Sequence, residues 1–488
     1  MNYQSTRNHA LTAVSTAAVL RGIASDGGLF ILKDFSALNF DWRAALEKDT
    51  LGMAEQILSA LLPDYPDMGE LVRRAYTNKF ETEDLTPVVP VGGRYVLELF
   101  RGPTSAFKDV ALSMLPQLIT AARACEGVED EIVILTATSG DTGKAALEGF
   151  HDVEGTRIIV FFPENGVSSV QKAQMVTQAG KNVCVCGING NFDDAQTGVK
   201  NTFAAVEAGD LLAGKGARLS SANSINIGRL APQVVYYFKA YADLVKWGKC
   251  KLGDPVDFVV PTGNFGDILA GYFAKYMGLP VGRLVCASNA NDVLTDFIHT
   301  GVYDRNRPFY KTVSPSMDIL VSSNLERLLF LMSGCNDAVV AELMAKLKTE
   351  GVYRVDDAMV AKLQEEFWGG CCDDAETKKI IGDVFRKTGY LCDTHTAAGW
   401  AVAEQYQAQT GDKAPMVVLS TASPYKFPAA VLSSLESNED PDEFNKMDRL
   451  QELTGVKIPE NLASVRTKKE LHTEVIAKEQ MLSKILYL

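Results

Sequence analysis

The sequence predicts an α/β protein: two open, twisted parallel sheets flanked by helices, preceded by an N-terminal segment and followed by a helical C-terminal extension. Three observations predict it. From about residue 95 onward, short apolar runs of strand length alternate with helix-length segments, the pattern of parallel sheets covered on both faces. Two strand-to-helix junctions carry glycine loops, at 136–143 and 261–267. The composition, 47% hydrophobic and 22% charged over 488 residues, is that of a globular chain, long enough to bury large cores without covalent staples.

The elements follow in order. Residues 1–95 show little regular alternation and are set apart as an N-terminal domain. Within them, 44–62 has apolar residues at helical spacing and stops at Pro63, and 71–80 reads as a shorter helix after the turn cluster 63–67. An α/β unit spans 96–250. Its strands are expected at 131–136, 157–162, 182–186 and 217–220. Its helices are expected at 143–150, after Ser168 as N-cap, from the third strand to about Ala208, and over 228–247. A second α/β unit spans 251–430, with strands at 256–260, 284–287 and 416–420 and helices at 268–277 and 292–300. In the extension 431–488, residues 435–448 read as a polar linker or surface loop, and the last 40 residues read as helical.

Charge and cysteine usage narrow the function classes. With 48 Lys+Arg against 61 Asp+Glu the net charge is −13, which argues against a nucleic-acid partner or an anionic membrane surface. An anionic substrate would need local Arg and Lys to hold it against that field. No apolar run approaches the length of about 18 residues that spans a bilayer, and residues 1–10 lack the apolar core of a signal peptide. The nine cysteines include pairs at 184/186 and 371/372, neither with zinc-ribbon spacing. They read as free thiols of a cytoplasmic protein, with no metal expected.

Three segments carry chemistry. In 97–112, LELFRGPTSAFKDVAL, Lys108 stands at the start of an apolar-periodic stretch. A lysine there has the wrong sign for the helix dipole; the penalty lowers its pKa, which suits a lysine that must act as a neutral amine. The loop Thr136-Ala137-Thr138-Ser139-Gly140-Asp141-Thr142-Gly143 follows a strand and opens a helix, so its backbone N–H groups and hydroxyls suit an oxyanion. Pro261-Thr262-Gly263-Asn264-Phe265-Gly266-Asp267 has the same context. It is neither a dinucleotide nor a Walker fingerprint, yet both loops lie at carboxyl ends of strands, where open α/β sheets bind ligands. Finally, 220–229, SSANSINIGR, is dense in hydrogen-bonding side chains and ends in a cation at a helix start. It reads either as a capping loop or as a phosphate site. The polar run 314–327 is similar in kind, and its chemistry alone does not separate structure from function.

Taken together, these pieces resemble the threonine synthase family, pyridoxal-phosphate enzymes of fold type II in the tryptophan synthase β superfamily. The resemblance runs through YQSTR (3–7), DGGLF (26–30), LELFRGPTSAFKDVAL, ATSGDTGKAALEGF, SANSINIGR, PTGNFGDILAG, SPSMDILVSSNLER, DTHTAAG (393–399) and STASPYKF (420–427). It resembles the longer microbial-type branch, whose distinct N-terminal segment fits 1–95. It implies pyridoxal 5′-phosphate as cofactor, with Lys108 as the Schiff-base lysine. Gly263, Asn264, Phe265, Gly266 and Asp267 would cradle the cofactor phosphate, Thr421 would face the pyridine nitrogen, and Asp141 would border the 3′ oxygen. Thr138, Ser139, Gly140, Asp141 and Thr142 would take the substrate carboxylate, and Ser224, Asn226 and Arg229 the substrate phosphate. The implied reaction converts O-phospho-L-homoserine and water to L-threonine and phosphate. A phospholyase on the same scaffold would share the lysine and both loops and release a 2-oxo acid instead; a non-catalytic cofactor-binding protein is a third reading, against which the complete set of groups argues. The sequence departs from the pattern at Asp267, where Asn is frequent, at Asp393-Thr394-His395, where Asp-Pro-His is usual, and at Ser423, which replaces a frequent His.

Overall fold

All six residues of Val256–Pro261 and all five of Met416–Ser420 are buried, as strands at the centre of a parallel sheet must be. In the computed structural model, which describes residues 3–209, 211–212 and 214–486, these strands are neighbours. The sheet runs in space Phe367–Cys371, Val281–Ser288, Val256–Pro261, Met416–Ser420, Arg94–Glu98, Val88–Val91. Every pair is parallel except the last. A second sheet, entirely parallel, runs Val475–Ala477, Val183–Asn189, Thr156–Pro163, Glu131–Ala137, Ala217–Ser221. The expected two-sheet α/β architecture is therefore present.

The path of the chain differs from a simple division in sequence. Arg94–Glu98 pairs with Met416–Ser420, more than three hundred residues later, so the strand just ahead of Lys108 belongs to the later sheet. The C-terminal extension returns as the strand Val475–Ala477 on the edge of the earlier sheet, and is thus not helical throughout. Part of the expected linker is the helix Glu443–Thr454, capped by Asp442. The 44–62 segment is two helices, Trp42–Leu46 and Thr50–Leu61. Asp49 interrupts it by taking the N-cap role and accepting from Gly52 N–H. The 228–247 segment tightens to a 3₁₀ turn at Ala231–Gln233, where Pro232 lacks a donor, before Val234–Lys246 continues.

The N-terminal residues form an antiparallel sheet of Asn8–Ala13, Tyr3–Ser5 and Phe30–Leu32. It is tied to the later sheet's helices by Glu326, whose carboxylate accepts from Thr6 Oγ1 (2.6 Å) and from Arg7 Nε and Nη2 (2.8 and 2.7 Å). Next to it, the fully buried Arg327 donates to the carbonyls of Phe30 (2.9 Å) and Ile225 (2.6 Å).

Lys108–Cys125 is a helix of eighteen residues with Pro116 inside it. Proline removes the N–H that would bond the Leu112 carbonyl. That carbonyl instead faces Gly149 of the helix Asp141–Phe150, where an added Cβ would lie 2.0 Å away. The glycine lets the two helices that bear Lys108 and Asp141 approach closely. We expect Gly149→Ala to destabilise the protein by about 1–3 kcal/mol through overpacking against backbone, measured as a loss of urea midpoint at unchanged slope.

Candidate active site

Lys108 is the first residue of its helix, as the sequence predicts. Its position is set by backbone: Phe107 N–H donates to Thr421 O (2.8 Å), Ser423 N–H to Ser105 O (3.1 Å), and Ala106 pairs antiparallel with Ala422. The chain leaving Met416–Ser420 thus runs against the chain entering the Lys108 helix. The loop before the lysine is closed by Asp109, which accepts from Thr104 N–H (2.9 Å) and from the Thr104 hydroxyl. Burial pushes the Asp109 carboxyl up to about 6 despite those bonds.

The Lys108 amine is buried. Its Nζ lies 3.4 Å from Ser316 Oγ, 3.8 Å from Asp141 Oδ2 and 4.4 Å from the Phe107 ring centroid. Desolvation moves its pKa below the ordinary lysine value, opposed by Asp141 and assisted by the charges of Lys426 and Arg229. Burial also acts to raise the Asp141 pKa, but the ammonium groups of Lys426 and Lys108 overcome it and hold the carboxyl well below the usual range.

The first glycine loop lies beside Lys108 through Asp141. Thr138 Oγ1 accepts from Gly140 N–H (2.9 Å) and Gly143 N–H (2.8 Å), so its hydroxyl shapes the turn. Gly140 has φ 131°, and a Cβ there would fall 2.4 Å from the Gln171 side chain. Ser139 and Thr142 are half-buried. The N–H groups of Asp141 and Thr142, at the start of Asp141–Phe150, have no acceptor among the described residues.

The second loop is built similarly. Phe265 takes φ 63°, the left-handed conformation, and the helix Gly266–Tyr276 starts at once. Among the described residues, the N–H groups of Gly263, Asn264, Phe265 and Gly266 find no acceptor, leaving four donors around one turn. Their carbonyls are held from outside: Gly263 O accepts from Ser322 Oγ (2.8 Å), and Asn264 O from Asn324 N–H (3.0 Å) and Nδ2 (3.1 Å). Asp267 is buried, and its Oδ1 accepts from Ile268 N–H of its own helix (3.0 Å). Burial pushes its pKa up to about 6.

Of the three residues predicted for a substrate phosphate, two remain available. Arg229 is 3% exposed, its Nη1 donates to Ala222 O, and its Nε has no partner. Desolvation lowers its pKa to about 10. Ser224 is half-buried, and its Cβ is 3.7 Å from where a Cβ on Gly266 would stand, so 220–229 lies against the second glycine loop. Asn226 is different. It caps Ile227–Leu230 through Gly228 N–H (2.9 Å), and its Nδ2 donates to Val19 O (2.9 Å) and Ser221 O (3.2 Å). Both amide hydrogens are committed to the fold, which corrects the expectation that Asn226 binds phosphate directly. Thr421 is buried beside the Lys108 loop.

Several residues beside Lys108 and Asp141 were not assigned a site role from sequence. Ser316 stands between Lys108 and Asp141 (Oγ to Oδ2, 3.4 Å). Its N–H donates to His395 Nε2 (3.1 Å), whose Nδ1 lies 2.8 Å from Asp393 Oδ1. Gln171 and Lys426 both bond Asp141 Oδ1. Their common signal is a polar residue within an otherwise apolar or capping motif, such as Lys426 in SPYKF, and that signal does not separate a site from a solvated charge.

With this geometry the chain can be compared with known proteins. The model of the family described as pyridoxal-phosphate dependent enzyme matches residues 86–422, which spans the six-stranded sheet, all of the other sheet but its edge strand Val475–Ala477, Lys108, the two loops and Thr421. Models described as threonine synthase N terminus and threonine synthase, C-terminal match residues 2–89 and 396–476. The chain is 40% identical over 440 residues to threonine synthase from Pseudomonas aeruginosa, covering 88% of this chain and 90% of that one. It is 41% identical over 436 residues to threonine synthase-like 1 from Homo sapiens, covering 86% of this chain but 58% of the relative's length. The solved structure of PLP-bound threonine synthase from Brucella melitensis superposes with a TM-score of 0.87 at 37% identity, covering 100% of this chain and 99% of that one. The fold is that of the pyridoxal-phosphate-dependent enzymes. Within that class the chain belongs to the threonine synthase family.

The residues present fit the family's cofactor. A buried amine whose pKa burial lowers and four unsatisfied backbone donors at a helix start are costly features in an empty fold and complementary to a phosphorylated aldehyde. Among the described residues no cluster of ligands could hold a metal ion, and no helix is long and apolar enough to cross a membrane.

Two predictions follow from the buried charges. Because Arg229 is buried without an acidic partner, Arg229→Met should leave the ligand-free protein as stable as the parent or more so. Inorganic phosphate is expected to raise the parent's thermal midpoint, and the substitution should abolish that rise. At Asp267 the folded pKa is raised from 3.8 to about 6, so the folded state holds the proton more tightly than the unfolded chain. Asp267 therefore weakens folding increasingly as pH rises through that window. The stability of Asp267→Asn relative to the parent should grow by up to ~3 kcal/mol over it, read from urea unfolding at a series of pH values.

Proposed function

We propose that the protein is a threonine synthase: it binds pyridoxal 5′-phosphate at Lys108 and converts O-phospho-L-homoserine and water to L-threonine and phosphate. The observation that carries this reading is the presence, in one buried site, of the Lys108 amine and the Arg229 guanidinium, whose Nε has no partner and which has no acidic one. A base and a separate anion receptor suit a substrate whose leaving group is a phosphate. We further propose Lys108, the 263–266 turn and Thr421 as the groups that hold the cofactor, in a cytoplasmic enzyme.

When bound, the cofactor supplies an electron sink that acidifies the carbon bearing the substrate's amino group. The protein's own residues do the rest. The free N–H groups of Asp141 and Thr142, with the half-buried Ser139, suit the substrate carboxylate. Arg229 and Ser224 suit the substrate phosphate. Holding the two ends fixes the carbon chain between them against the Lys108 side chain.

Phosphate leaves from Cγ, so removal of the Cα proton alone cannot expel it. A second proton must come off Cβ. Lys108 Nζ, lowered in pKa by burial, is suited to take both, to deliver one to Cγ once phosphate has left, and to return the other to Cα after water has added its hydroxyl at Cβ and given its proton to the released phosphate. The neutral hydroxyl of Thr421 is suited to accept or donate at the ring nitrogen without imposing a proton there, as a carboxylate would.

The test is to follow phosphate and organic product together after mixing the cofactor-loaded protein with O-phospho-L-homoserine. Equal amounts of threonine and phosphate are expected, and Lys108→Ala should lower kcat by about 10²- to 10⁴-fold, on the order of the loss of a proton-transfer group, with loss of the cofactor's visible absorption. Phosphate accompanied by 2-oxobutyrate would instead assign the phospholyase reaction, and no phosphate release from a yellow protein would overturn the substrate.

A further inference from the structure

Asp141 lies between two lysines, and the two are not equivalent. Lys426 is fully buried at the end of the 3₁₀ turn Pro424–Lys426. Its Nζ is 2.7 Å from Asp141 Oδ1 and donates to Thr104 O (3.1 Å). Gln171 Nε2 also donates to Oδ1 (2.8 Å). The other oxygen, Oδ2, faces Lys108 Nζ at 3.8 Å and Ser316 Oγ at 3.4 Å. One oxygen is therefore saturated by fixed donors, while the other is loosely shared with the reactive amine.

The charge count explains the arrangement. A lone buried Asp beside Lys108 would stabilise the ammonium form and hold the amine in a salt bridge, the opposite of what a nucleophile or base requires. With Lys426 paired to Asp141, the triad is neutral when Lys108 is neutral and carries one net positive charge when Lys108 is protonated. A dry interior disfavours the net charge. The other charges that face Lys108 are Arg229, of like sign, and Asp267, of opposite sign; Asp109 faces Lys426 from the start of the Lys108 helix.

We infer that Lys426 is a positioning residue: by occupying Asp141 permanently, it frees the Lys108 amine to act in its neutral form while keeping a carboxylate oxygen and the Ser316 hydroxyl beside it. Lys426 also fixes the geometry, because its two bonds pin Thr104, in the loop before Lys108, to the first turn of Asp141–Phe150. The inference deepens the reading of Lys108 as the reactive lysine and rests on it.

The test compares Lys426→Met, Lys426→Arg and Asp141→Asn with the parent. In the cofactor-loaded proteins the readout is the pH midpoint at which the bound cofactor's visible absorption titrates. In the cofactor-free proteins it is the pH midpoint of amine labelling at Lys108, located by mass spectrometry. Lys426→Met should raise both midpoints by about one pH unit or more, a tenfold change, while Lys426→Arg leaves them near the parent values. Asp141→Asn should lower them, and the double variant should move back toward the parent. A folded Lys426→Met with unmoved midpoints, or Lys426→Arg shifted as far as Met, overturns the inference. If Lys426→Met does not fold, an unmoved midpoint in Asp141→Asn does so. Absence of cofactor absorption that depends on Lys108 would instead count against the proposed function, and the labelling midpoints would still decide the coupling.

Discussion

The site depends on one stretch of backbone pairing. Residues 105–107 run against 421–423, held by the Phe107 and Ser423 N–H groups, and this contact joins the ends of two strands that are already neighbours, Arg94–Glu98 and Met416–Ser420. Without it, the Lys108 helix could start from a loop free to turn its first residue toward water. With it, the lysine is delivered to the interior at the edge where both glycine loops also end. That edge is the carboxyl end of the parallel strands, where helix starts and strand ends leave backbone donors unspent.

Burial then sets the electrostatics. The same desolvation acts on Lys108, Asp141, Arg229 and Asp267, with different results because their partners differ. Asp141 has two cations and stays ionised; Asp267 has the N–H groups of its own helix start and only a weak pull from Lys108, and is drawn toward neutrality. Arg229 has carbonyl oxygen for one nitrogen and nothing for another. An interior that leaves some charges matched and others unmatched is shaped for a charged guest, and the unmatched ones mark where the guest's opposite charges belong.

The N-terminal segment contributes to the same site from a distance. Glu326 holds Thr6 and Arg7, while Arg327 reaches Phe30 O and bonds Asn324, whose amide supports Asn264 O in the second glycine loop. The antiparallel N-terminal sheet and the anion cradle are thus linked by a short chain of buried hydrogen bonds. This gives a physical reason for residues 3–32 to lie against the later sheet, and it gives 322–327 of the polar run 314–327 a supporting role, while Ser316 lies beside Lys108 and Asp141.

Local chemistry was legible in the sequence by itself. The strand–loop–helix junctions, Ser168 as an N-cap, Lys108 at a helix start and the two glycine loops all rest on interactions within a few residues, which composition and spacing encode directly. The short strands 352–354 and 367–371, the N-terminal sheet and the returning strand 475–477 were not legible, because each is too brief to show a period and exists only through its partner. The same holds for the site. Asn226 and Arg229 look alike in a polar run, yet one caps a helix and the other is left with a free donor. Lys426 and Asp141 lie 285 positions apart, with nothing local to pair them. The sequence determined which groups could do the chemistry; the tertiary structure decided which of them are buried, and against what, because desolvation and charge pairing act through space and leave no period along the chain.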